Sequence, residues 1–246
     1  MEGTVINNTK TVLITGGNRG IGFETARQLG AKGYTVLIGA RDEKKGQEAA
    51  ALLKKENINA EAIVLDVTNE DTIKAAAQQI DKAFGSLNVL INNAGINVDN
   101  GKSPSQLALD ELQKTFETNV FGTFAVTKAL LPLIKKSSSG RIVNLSSSLG
   151  SLTLNSDPES GFFNYIALAY MSSKAAVNAL TILFAKELKD FPIKVNSADP
   201  GYTATDLTGY VGHPVAEGAS IVVHLATLTE DGPTGGFFDK NGIVPW

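Results

Sequence analysis

Apolar residues follow two alternating patterns along this chain. Continuous runs rich in Val, Ile and Leu are typical of strands buried on both faces of a parallel sheet. The longer segments between them carry apolar residues at helical spacing. This alternation predicts a doubly wound α/β fold: one domain over residues 1–246, with a parallel sheet of about seven strands and helices on both faces. The predicted strands are Thr11–Thr15, Thr35–Ala40, Glu61–Asp66, Val89–Asn92, Ile142–Leu145, Lys194–Ala198 and Gly236–Phe238.

Residues that begin and end helices support the same order of elements. A helix over Ile21–Lys32 is predicted to stop at Gly33, a residue suited to a left-handed cap. The helix that stops at Gly85 opens with Thr68 and Asp71, which have the spacing of a capping box. Further helices are predicted over Glu111–Lys136 and Tyr170–Leu188, and irregular segments at 96–106, 150–169 and 202–214.

Four glycines, Gly16, Gly17, Gly20 and Gly22, separate the first strand from the first helix. Glycines allow a tight turn and let a pyrophosphate come close to the backbone. The helix N-terminus beyond them offers free N–H groups and a favourable dipole to a phosphate. The spacing in this strand–loop–helix context predicts a phosphate-binding loop, and a glycine-rich turn without a ligand is the alternative.

The end of the second strand bears on which dinucleotide such a loop would hold. Sites that bind a free 2′-hydroxyl usually carry an acidic residue about 20 residues after the loop. This sequence has Ala40 and Arg41 there, and Asp42 comes one position late, where it would cap the next helix. A guanidinium can pair with a 2′-phosphate that a carboxylate would repel. Arg41, together with Arg19 in the glycine loop, therefore favours NADP(H) over NAD(H).

Tyr170 and Lys174 stand four residues apart in "AYMSSK", so they share one face of a predicted helix. An ammonium near a phenol favours the phenolate and lowers the tyrosine pKa from about 10. Tyr170 would then be a usable acid or base. Pairs at this spacing are common on helix surfaces. The strand that ends in "VNLSSS" strengthens the hypothesis, because it supplies hydroxyl groups at the carboxyl edge of the sheet, where ligands bind.

Composition narrows the class of partner. The net charge of -3 and the lack of a long basic run argue against nucleic acid. The sequence contains no cysteine, which excludes disulfides and thiolate metal sites, and we predict no metal site. The N-terminal segment lacks the apolar stretch of a signal peptide, and no run reaches about 18 apolar residues. A cytoplasmic protein without a membrane partner is expected.

Taken together, these motifs resemble the short-chain dehydrogenase/reductase family, whose members have a Rossmann-type fold. The resemblance covers nearly the whole chain and implies an oxidoreductase that uses a nicotinamide cofactor. The stretches that carry it are "TGGNRGIG" from Thr15, Asp66 in "LDV", "NNAG" from Asn92, Asn119 in "TNVFG", Ser147 in "NLSSS", Tyr170 with Lys174, and "DPGYTATD" with Pro200 and Gly201.

The resemblance implies four catalytic residues. Tyr170 would donate a proton to the substrate oxygen in reduction and accept it in oxidation, while the hydride comes from the nicotinamide. Lys174 would hold the nicotinamide ribose and lower the pKa of Tyr170. Ser147 would hydrogen-bond the carbonyl, since the family pattern N-x-S-S favours the second serine of 146–148. Asn119 would bend a long helix and hold a water that links Lys174 to solvent.

The same resemblance implies the NADPH/NADP+ site. Six groups of residues would form this site. They are, in order, the glycine loop and the groups that contact the 2′-phosphate, the adenine, the adenosine ribose, the nicotinamide ribose, and the nicotinamide amide with the phosphates. The residues, in that order, are Gly16, Asn18, Arg19, Gly20, Ile21 and Gly22; Arg41; Asp66 and Val67; Asn93, Ala94 and Gly95; Tyr170 and Lys174; and Pro200, Gly201, Thr203 and Thr205.

One departure from the common pattern is the connection of 22 residues between Ser147 and Tyr170, which is much shorter in many members. Carbonyl reductases of this family, some of them monomeric, carry a longer insertion here, and the chain ending "GPTGGFFDKNGIVPW" also resembles theirs. The segment 150–169 is therefore interpreted as an insertion, either a substrate lid over the cofactor or a packing or surface loop. Its three aromatic residues between Gly161 and Ile166 favour the lid.

This subgroup resemblance favours NADPH-dependent reduction of ketones or aldehydes. The alternatives are a 3-oxoacyl-thioester (acyl-carrier-protein) reductase and a non-catalytic NADP(H) sensor; a sensor would usually lack Tyr170 or Lys174. The partner expected is a small carbonyl or alcohol substrate. Family members commonly pair through their long helices, so a homo-oligomer (dimer or tetramer) is expected, with a monomer as the alternative that the insertion leaves open.

Overall fold

A computed structural model describes residues 9–99 and 101–246. Its sheet has the strand order β3-β2-β1-β4-β5-β6-β7-β8 and is parallel except for the antiparallel pair β7–β8. Helices cover both faces, so the predicted doubly wound α/β fold is confirmed. The strands are β1 (Thr11–Thr15), β2 (Thr35–Ala40), β3 (Ala60–Val64), β4 (Val89–Asn92), β5 (Gly140–Leu145), β6 (Ile193–Ala198), β7 (Phe237–Asp239) and β8 (Gly242–Ile243). The helices are α1 (Gly20–Ala31), α2 (Glu43–Lys55), α3 (Glu70–Phe84), α4 (Leu109–Phe116), α5 (Gly122–Lys135), α6 (Leu152–Ser156), α7 (Leu168–Glu187) and α8 (Val215–Ala226).

The sheet separates two apolar clusters, which explains the continuous apolar runs of its strands. On one face α1, α2 and α8 pack against the sheet, with Leu29 and Leu53 fully buried. On the other face α3, α5 and α7 pack through residues such as Ile80, Leu130 and Phe184. Each large apolar side chain buried in this way stabilises the fold by about 1.5–3 kcal/mol relative to an exposed one.

The predicted bounds are wrong by about two residues at two strands, and one strand was not predicted. β3 ends at Val64 because its only partner strand, β2, ends at Ala40, which pairs with Val64. β5 begins at Gly140, whose N–H donates to the carbonyl of Pro192. β8 has two residues, both exposed, which is too short to show a periodic pattern. The segment 150–169, predicted to be irregular, contains α6.

The predicted capping box at Thr68 and Asp71 is wrong, because Asn69 caps α3. The Asn69 side chain accepts hydrogen bonds from the backbone N–H groups of Asp71 (2.9 Å) and Thr72 (3.4 Å). The Thr68 hydroxyl is used elsewhere, donating to the carboxylate of Asp66 (2.8 Å). The end of this helix at a left-handed glycine, Gly85, is confirmed.

A π-helical segment interrupts the long helix that was predicted as continuous over Glu111–Lys136. It spans Glu117–Phe121, between α4 and α5, and contains Asn119. Such segments widen the helix locally and are frequent at functional sites.

The helix α7 begins at Leu168, two residues before Tyr170, and its length and composition alone would allow it to span a membrane. Its apolar character has a simpler cause, because α7 packs into the apolar cluster on one face of the sheet.

Candidate active site

Loops at the carboxyl edge of four adjacent strands bring the predicted residues together. The glycine loop follows β1, the "NNAG" turn follows β4, the serines follow β5, and "DPG" follows β6. The order of the strands reverses between β1 and β4, and ligands of open α/β sheets bind at such a switch point. The structure therefore brings the predicted motifs together at this edge of the sheet.

The glycine loop has the backbone that a phosphate site requires. Gly16 and Gly20 have φ values of +62° and +55°, the left-handed region that favours glycine. A Cβ at Gly22 would lie 2.5 Å from Nδ2 of Asn93, so a larger residue would collide there. No side chain caps the N-terminus of α1, which leaves its first N–H groups for a ligand. The residues present thus fit a dinucleotide phosphate.

The "NNAG" turn is fixed to this loop by side-chain hydrogen bonds. Thr15 Oγ1 accepts from the backbone N–H groups of Asn93 and Ala94, both at 3.0 Å. The Asn93 amide donates to the carbonyl oxygens of Thr15 (2.8 Å) and Gly16 (3.1 Å). The side chain of Asn93 therefore holds the two loops together. Gly95 extends the turn to the catalytic centre, since a Cβ there would lie 3.6 Å from Nζ of Lys174.

The two arginines that were predicted to bind the 2′-phosphate differ in whether they form an ion pair. Arg41 is exposed at the end of β2, and its guanidinium forms no ion pair with any residue in the described ranges. Arg19 pairs with the carboxylate of Asp206, in the segment after β6. Asp42 caps α2 by accepting from the N–H of Lys45 (3.0 Å), as its position in the sequence predicted.

The predicted adenine contacts lie just beyond β3. Asp66 accepts hydrogen bonds from the backbone N–H (2.9 Å) and the hydroxyl of Thr68, so its carboxylate shapes the turn before α3. Val67 beside it is buried. The side chain of Asp66 is half-buried at the rim of the sheet edge. The backbone N–H of Leu65 donates to the carbonyl of Ala40 (2.9 Å), so Asp66 and Arg41 leave their strands at the same edge of the sheet.

The four predicted catalytic residues meet around the start of α7. Lys174 is buried and donates from Nζ to the carbonyl oxygen of Leu145 (2.8 Å), with Nζ 5.5 Å from the centre of the Tyr170 ring. Burial lowers the pKa of Lys174 to about 8. Asn119 exchanges two hydrogen bonds of 2.9 Å with the backbone of Ile96, which fixes the loop after "NNAG" to the π-helical segment.

The pKa of Tyr170 departs from the sequence-based expectation. Burial of the phenol raises its pKa above the ordinary value, and the negative charge of Asp199 raises it further. A hydrogen bond with Ser147 acts in the opposite direction. The expected lowering of this pKa by Lys174 is not found: Nζ of Lys174 donates to a backbone carbonyl, and desolvation of the phenolate dominates. Tyr170 is held in its protonated form.

The three adjacent serines form hydrogen bonds with different partners. Ser147 accepts from the N–H of Leu149 (3.2 Å) and faces the Tyr170 phenol. Ser146 donates to the backbone carbonyl of Lys174 (3.4 Å), and Ser148 donates to the carboxylate of Asp199. Ser147 is thus the serine whose hydroxyl points to the reacting group, as the family pattern implied.

The segment after "DPG" is built from internal hydrogen bonds. Thr203 is buried and donates to the carbonyl oxygens of Pro200 (3.0 Å) and Gly201 (3.1 Å). Thr203 is therefore tied to the backbone of its own loop. Thr205 faces the glycine loop, because a Cβ at Gly20 would lie 3.5 Å from its methyl group. Of the two threonines predicted to meet the cofactor, Thr205 has the more suitable place.

Two carboxylates of the site were missed by the sequence reasoning. Asp99 is buried and accepts hydrogen bonds from the N–H groups of Ala169 (2.8 Å) and Tyr170 (2.9 Å). Asp199 is buried beneath the serine turn. Asp199 is the first residue of the "DPG" motif, and an ionisable residue directly after a strand could have been recognised in the sequence as a candidate site residue. Asp99 lies in an irregular segment whose pattern points to no partner.

Two segments next to the site in the chain, the insertion and the segment after β6, expose apolar side chains. The insertion exposes Phe163 and Tyr165, with 44% and 47% of their surface accessible, and Phe162 is half-buried. Tyr165 is near enough to Tyr170 to raise its pKa slightly. Beyond β6 the segment 202–214 exposes further apolar surface, at Tyr202 and Tyr210 among others. Exposed apolar patches of this kind mark ligand or partner sites.

Comparison with known proteins agrees with this geometry. The profile of the short chain dehydrogenase family matches residues 10–215. Short-chain dehydrogenase anuI of Penicillium roqueforti is 39% identical over 88% of this chain and 88% of its own length, and (+)-neomenthol dehydrogenase of Capsicum annuum is 34% identical over 96% and 98%. NADPH-bound carbonyl reductase from chicken fatty liver has a similar structure, with a TM-score of 0.85 and 30% identity over 97% of this chain and 99% of that chain. This chain belongs to the short chain dehydrogenase family of oxidoreductases.

Proposed function

We propose that this protein is an NADPH-dependent reductase of ketones or aldehydes. The observation that carries the proposal is the placement of the Tyr170 phenol beside the hydroxyl of Ser147, with Nζ of Lys174 5.5 Å from the centre of the ring. A substrate oxygen placed between the phenol and the hydroxyl would accept two hydrogen bonds, and the phenol can give up its proton. The relatives named above are a dehydrogenase of neomenthol and a carbonyl reductase, and these names describe the two directions of one interconversion between an alcohol and a carbonyl group.

The residues present fit an NADP(H) cofactor. The glycine loop would hold the pyrophosphate, Arg41 the 2′-phosphate, and Lys174 the nicotinamide ribose. When bound, the cofactor supplies the hydride. The solved carbonyl reductase contains NADPH, and a structural relative described as ElxO contains NADP, at 31% identity over 94% of this chain with a TM-score of 0.82. These findings, with the unpaired guanidinium of Arg41, support NADP(H) for this chain.

The protein's own groups would then perform the proton chemistry. Ser147 would donate a hydrogen bond to the carbonyl oxygen and polarise it, while its own oxygen is fixed by the N–H of Leu149. Tyr170 would transfer its proton as negative charge develops on that oxygen. Lys174, cationic at neutral pH, would stabilise the resulting phenolate. Asn119 would keep the lysine's surroundings in place through its bonds to Ile96.

We further propose that the substrates are bulky and apolar. The aromatic segment of the insertion precedes the helix of Tyr170, and the apolar segment 202–214 follows β6 at the same edge of the sheet, so both would cover an apolar ketone. Loops of this sort exclude water when they close. A polar carbonyl substrate would leave its polar groups without partners against these walls.

The long helices suggest a homo-oligomer. Phe121 and Phe124 are 59% and 44% exposed near the junction of α4 and α5, and Leu183 is 60% exposed on α7. Apolar residues on the outer faces of two neighbouring helices would be covered in a pair of chains. Sedimentation at micromolar concentration should give a mass above that of one 25.9 kDa chain. A single species at that mass would reject the oligomer without affecting the proposed activity.

The reductase itself is tested by a screen for NADPH oxidation. The purified protein is offered alicyclic and aromatic ketones, small polar ketones, aldehydes and acetoacetyl thioesters. We expect turnover to be fastest with the bulky ketones. Faster reduction of the thioesters would favour the 3-oxoacyl reductase, and binding of NADPH without turnover of any carbonyl would favour the cofactor sensor.

A further inference from the structure

Asp199 connects two loops of the active site. Its Oδ2 accepts hydrogen bonds from the backbone N–H (2.9 Å) and the hydroxyl of Ser148, and its Oδ1 accepts from the N–H of Gly201 (2.8 Å). Ser148 directly follows Ser147, and Gly201 opens the loop that leads to Thr205. One buried carboxylate therefore fastens the serine turn after β5 to the loop after β6.

The charge of this carboxylate is not neutralised by a cation. All three of its hydrogen-bond donors are neutral, and within the described residues it forms no ion pair with Lys or Arg. Little water screens a carboxylate that is 7% exposed, so its field reaches its neighbours. This charge raises the pKa of Tyr170 further, and at Lys174 it partly opposes the lowering of the pKa by burial.

Other ionisable groups also face Tyr170. Lys174 lies beside its ring, Tyr165 approaches from the insertion, and Asp99 accepts from its backbone N–H. His213 lies against the loop after β6, close to Gly201. Among the charges and hydrogen bonds that act on the phenol, the carboxylate after β6 has the largest effect.

We propose that Asp199 is a positioning residue of the active site, whose carboxylate fixes the turn of Ser147 against the loop of Gly201 and whose charge reserves Tyr170 for proton donation. The inference rests on the proposed carbonyl reduction. A general acid works only while it is protonated, so a fixed negative charge beside Tyr170 extends reduction to higher pH. The same charge disfavours the phenolate that alcohol oxidation would require.

The test replaces Asp199 by Asn, which keeps the size of the side chain and removes its charge. A second variant, Asp199→Ser, keeps the proposal testable if the first variant misfolds. The pH at which kcat/KM for ketone reduction falls should move down by about one unit in both, as expected for loss of a neighbouring charge. Affinity for NADPH, measured by fluorescence, should change little. Asp81→Asn is the matched control, because Asp81 is an exposed carboxylate on α3 paired with Lys136.

A second measurement requires no turnover. The ring-carbon NMR signal of Tyr170, labelled with ¹³C at Cζ and assigned by its loss in Tyr170→Phe, is followed against pH in the free protein and with NADP+. We expect Tyr170 to ionise about one unit lower in Asp199→Asn than in wild type. The proposal is overturned if the two proteins ionise at the same pH. Failure of the wild type to reduce any ketone would instead reject the proposed function and leave this result standing.

Discussion

Asp99 accepts a hydrogen bond from the backbone N–H of Tyr170 at 2.9 Å, across 71 residues of sequence. Its second oxygen accepts from the N–H of Ala169 at 2.8 Å. Because α7 begins at Leu168, this buried carboxylate caps the helix that carries Tyr170 and Lys174. The cap joins the catalytic helix to the loop that follows the "NNAG" turn, so folding of that loop and placement of the phenol are coupled.

Replacement of Asp99 by Ala should lower both stability and turnover. It leaves two N–H groups of α7 without an acceptor, and loss of a helix cap costs about 0.5–2 kcal/mol. The free energy of unfolding in urea and kcat for ketone reduction are the measurements. Asn69→Ala is the control, because Asn69 also caps two N–H groups, at the start of α3. We expect it to lower stability by a similar amount without changing kcat, and equal kcat losses in both variants would contradict a special role for Asp99.

Tyr170→Phe should fold and bind NADPH yet lose nearly all turnover. Removal of a positioned proton donor costs on the order of 10²–10⁴-fold. Tyr34→Phe removes the hydroxyl of another partly buried tyrosine, which directly precedes β2 at the edge of the sheet opposite the site, and it should keep wild-type kcat. Retention of more than about a tenth of wild-type kcat by Tyr170→Phe would exclude it as the proton donor.

Arg41→Ala should weaken NADPH binding more than Arg19→Ala does. Arg41 has a free guanidinium for the 2′-phosphate, whereas Arg19 must first leave Asp206. A charge-assisted hydrogen bond is worth about 1.5–3 kcal/mol. The pair Ala40→Asp with Arg41→Ala should reverse the preference in kcat/KM from NADPH to NADH. Lys44→Ala, an exposed cation nearby, is the control, and equal kcat/KM for both cofactors in the wild type would refute the assignment.

Phe162→Ala with Phe163→Ala should raise KM for bulky ketones and leave NADPH affinity almost unchanged. Full burial of each ring under a substrate would contribute about 1.5–3 kcal/mol, and Phe163 is exposed without one. If the rings serve packing or assembly instead, the double variant loses thermal stability or changes its mass in solution. Its kcat/KM would then fall equally for large and small ketones.

The stability of the protein should rise with pH above about pH 8 through Lys174. The pKa of this lysine is lowered to about 8 in the folded protein, against 10.5 for the unfolded chain. Between these values the unfolded chain binds more protons, so unfolding becomes less favourable as pH increases. The comparison is the free energy of unfolding of wild type minus that of Lys174→Met, measured from pH 7 to pH 10. A flat difference would show that Lys174 keeps an ordinary pKa.

Local patterns in the sequence were sufficient for most of the fold and for the outline of the site. Continuous apolar runs and helix-ending glycines are short-range signals, and they located seven of the eight strands in the part of the chain that the structure describes. The glycine loop, Ser147 and the pair Tyr170–Lys174 were recognisable because each lies at a fixed offset from a strand end or on one helical face. The strand β8 was not predicted, because two residues in an antiparallel pairing are too few to show a periodic pattern.

The sequence by itself determined which groups meet at the candidate active site, because strand, loop and helix N-terminus follow one another directly along the chain. Only the tertiary structure decided how those groups are held and charged. Asp99 reaches Tyr170 across 71 residues and Asp199 reaches Ser148 across 51, and no local pattern encodes such distances. The pKa of Tyr170 shows the same difference between sequence and structure. The nearby lysine in the sequence predicted a lowered pKa. Burial and the charge of Asp199 act on the phenol only in the folded chain, and they raise its pKa.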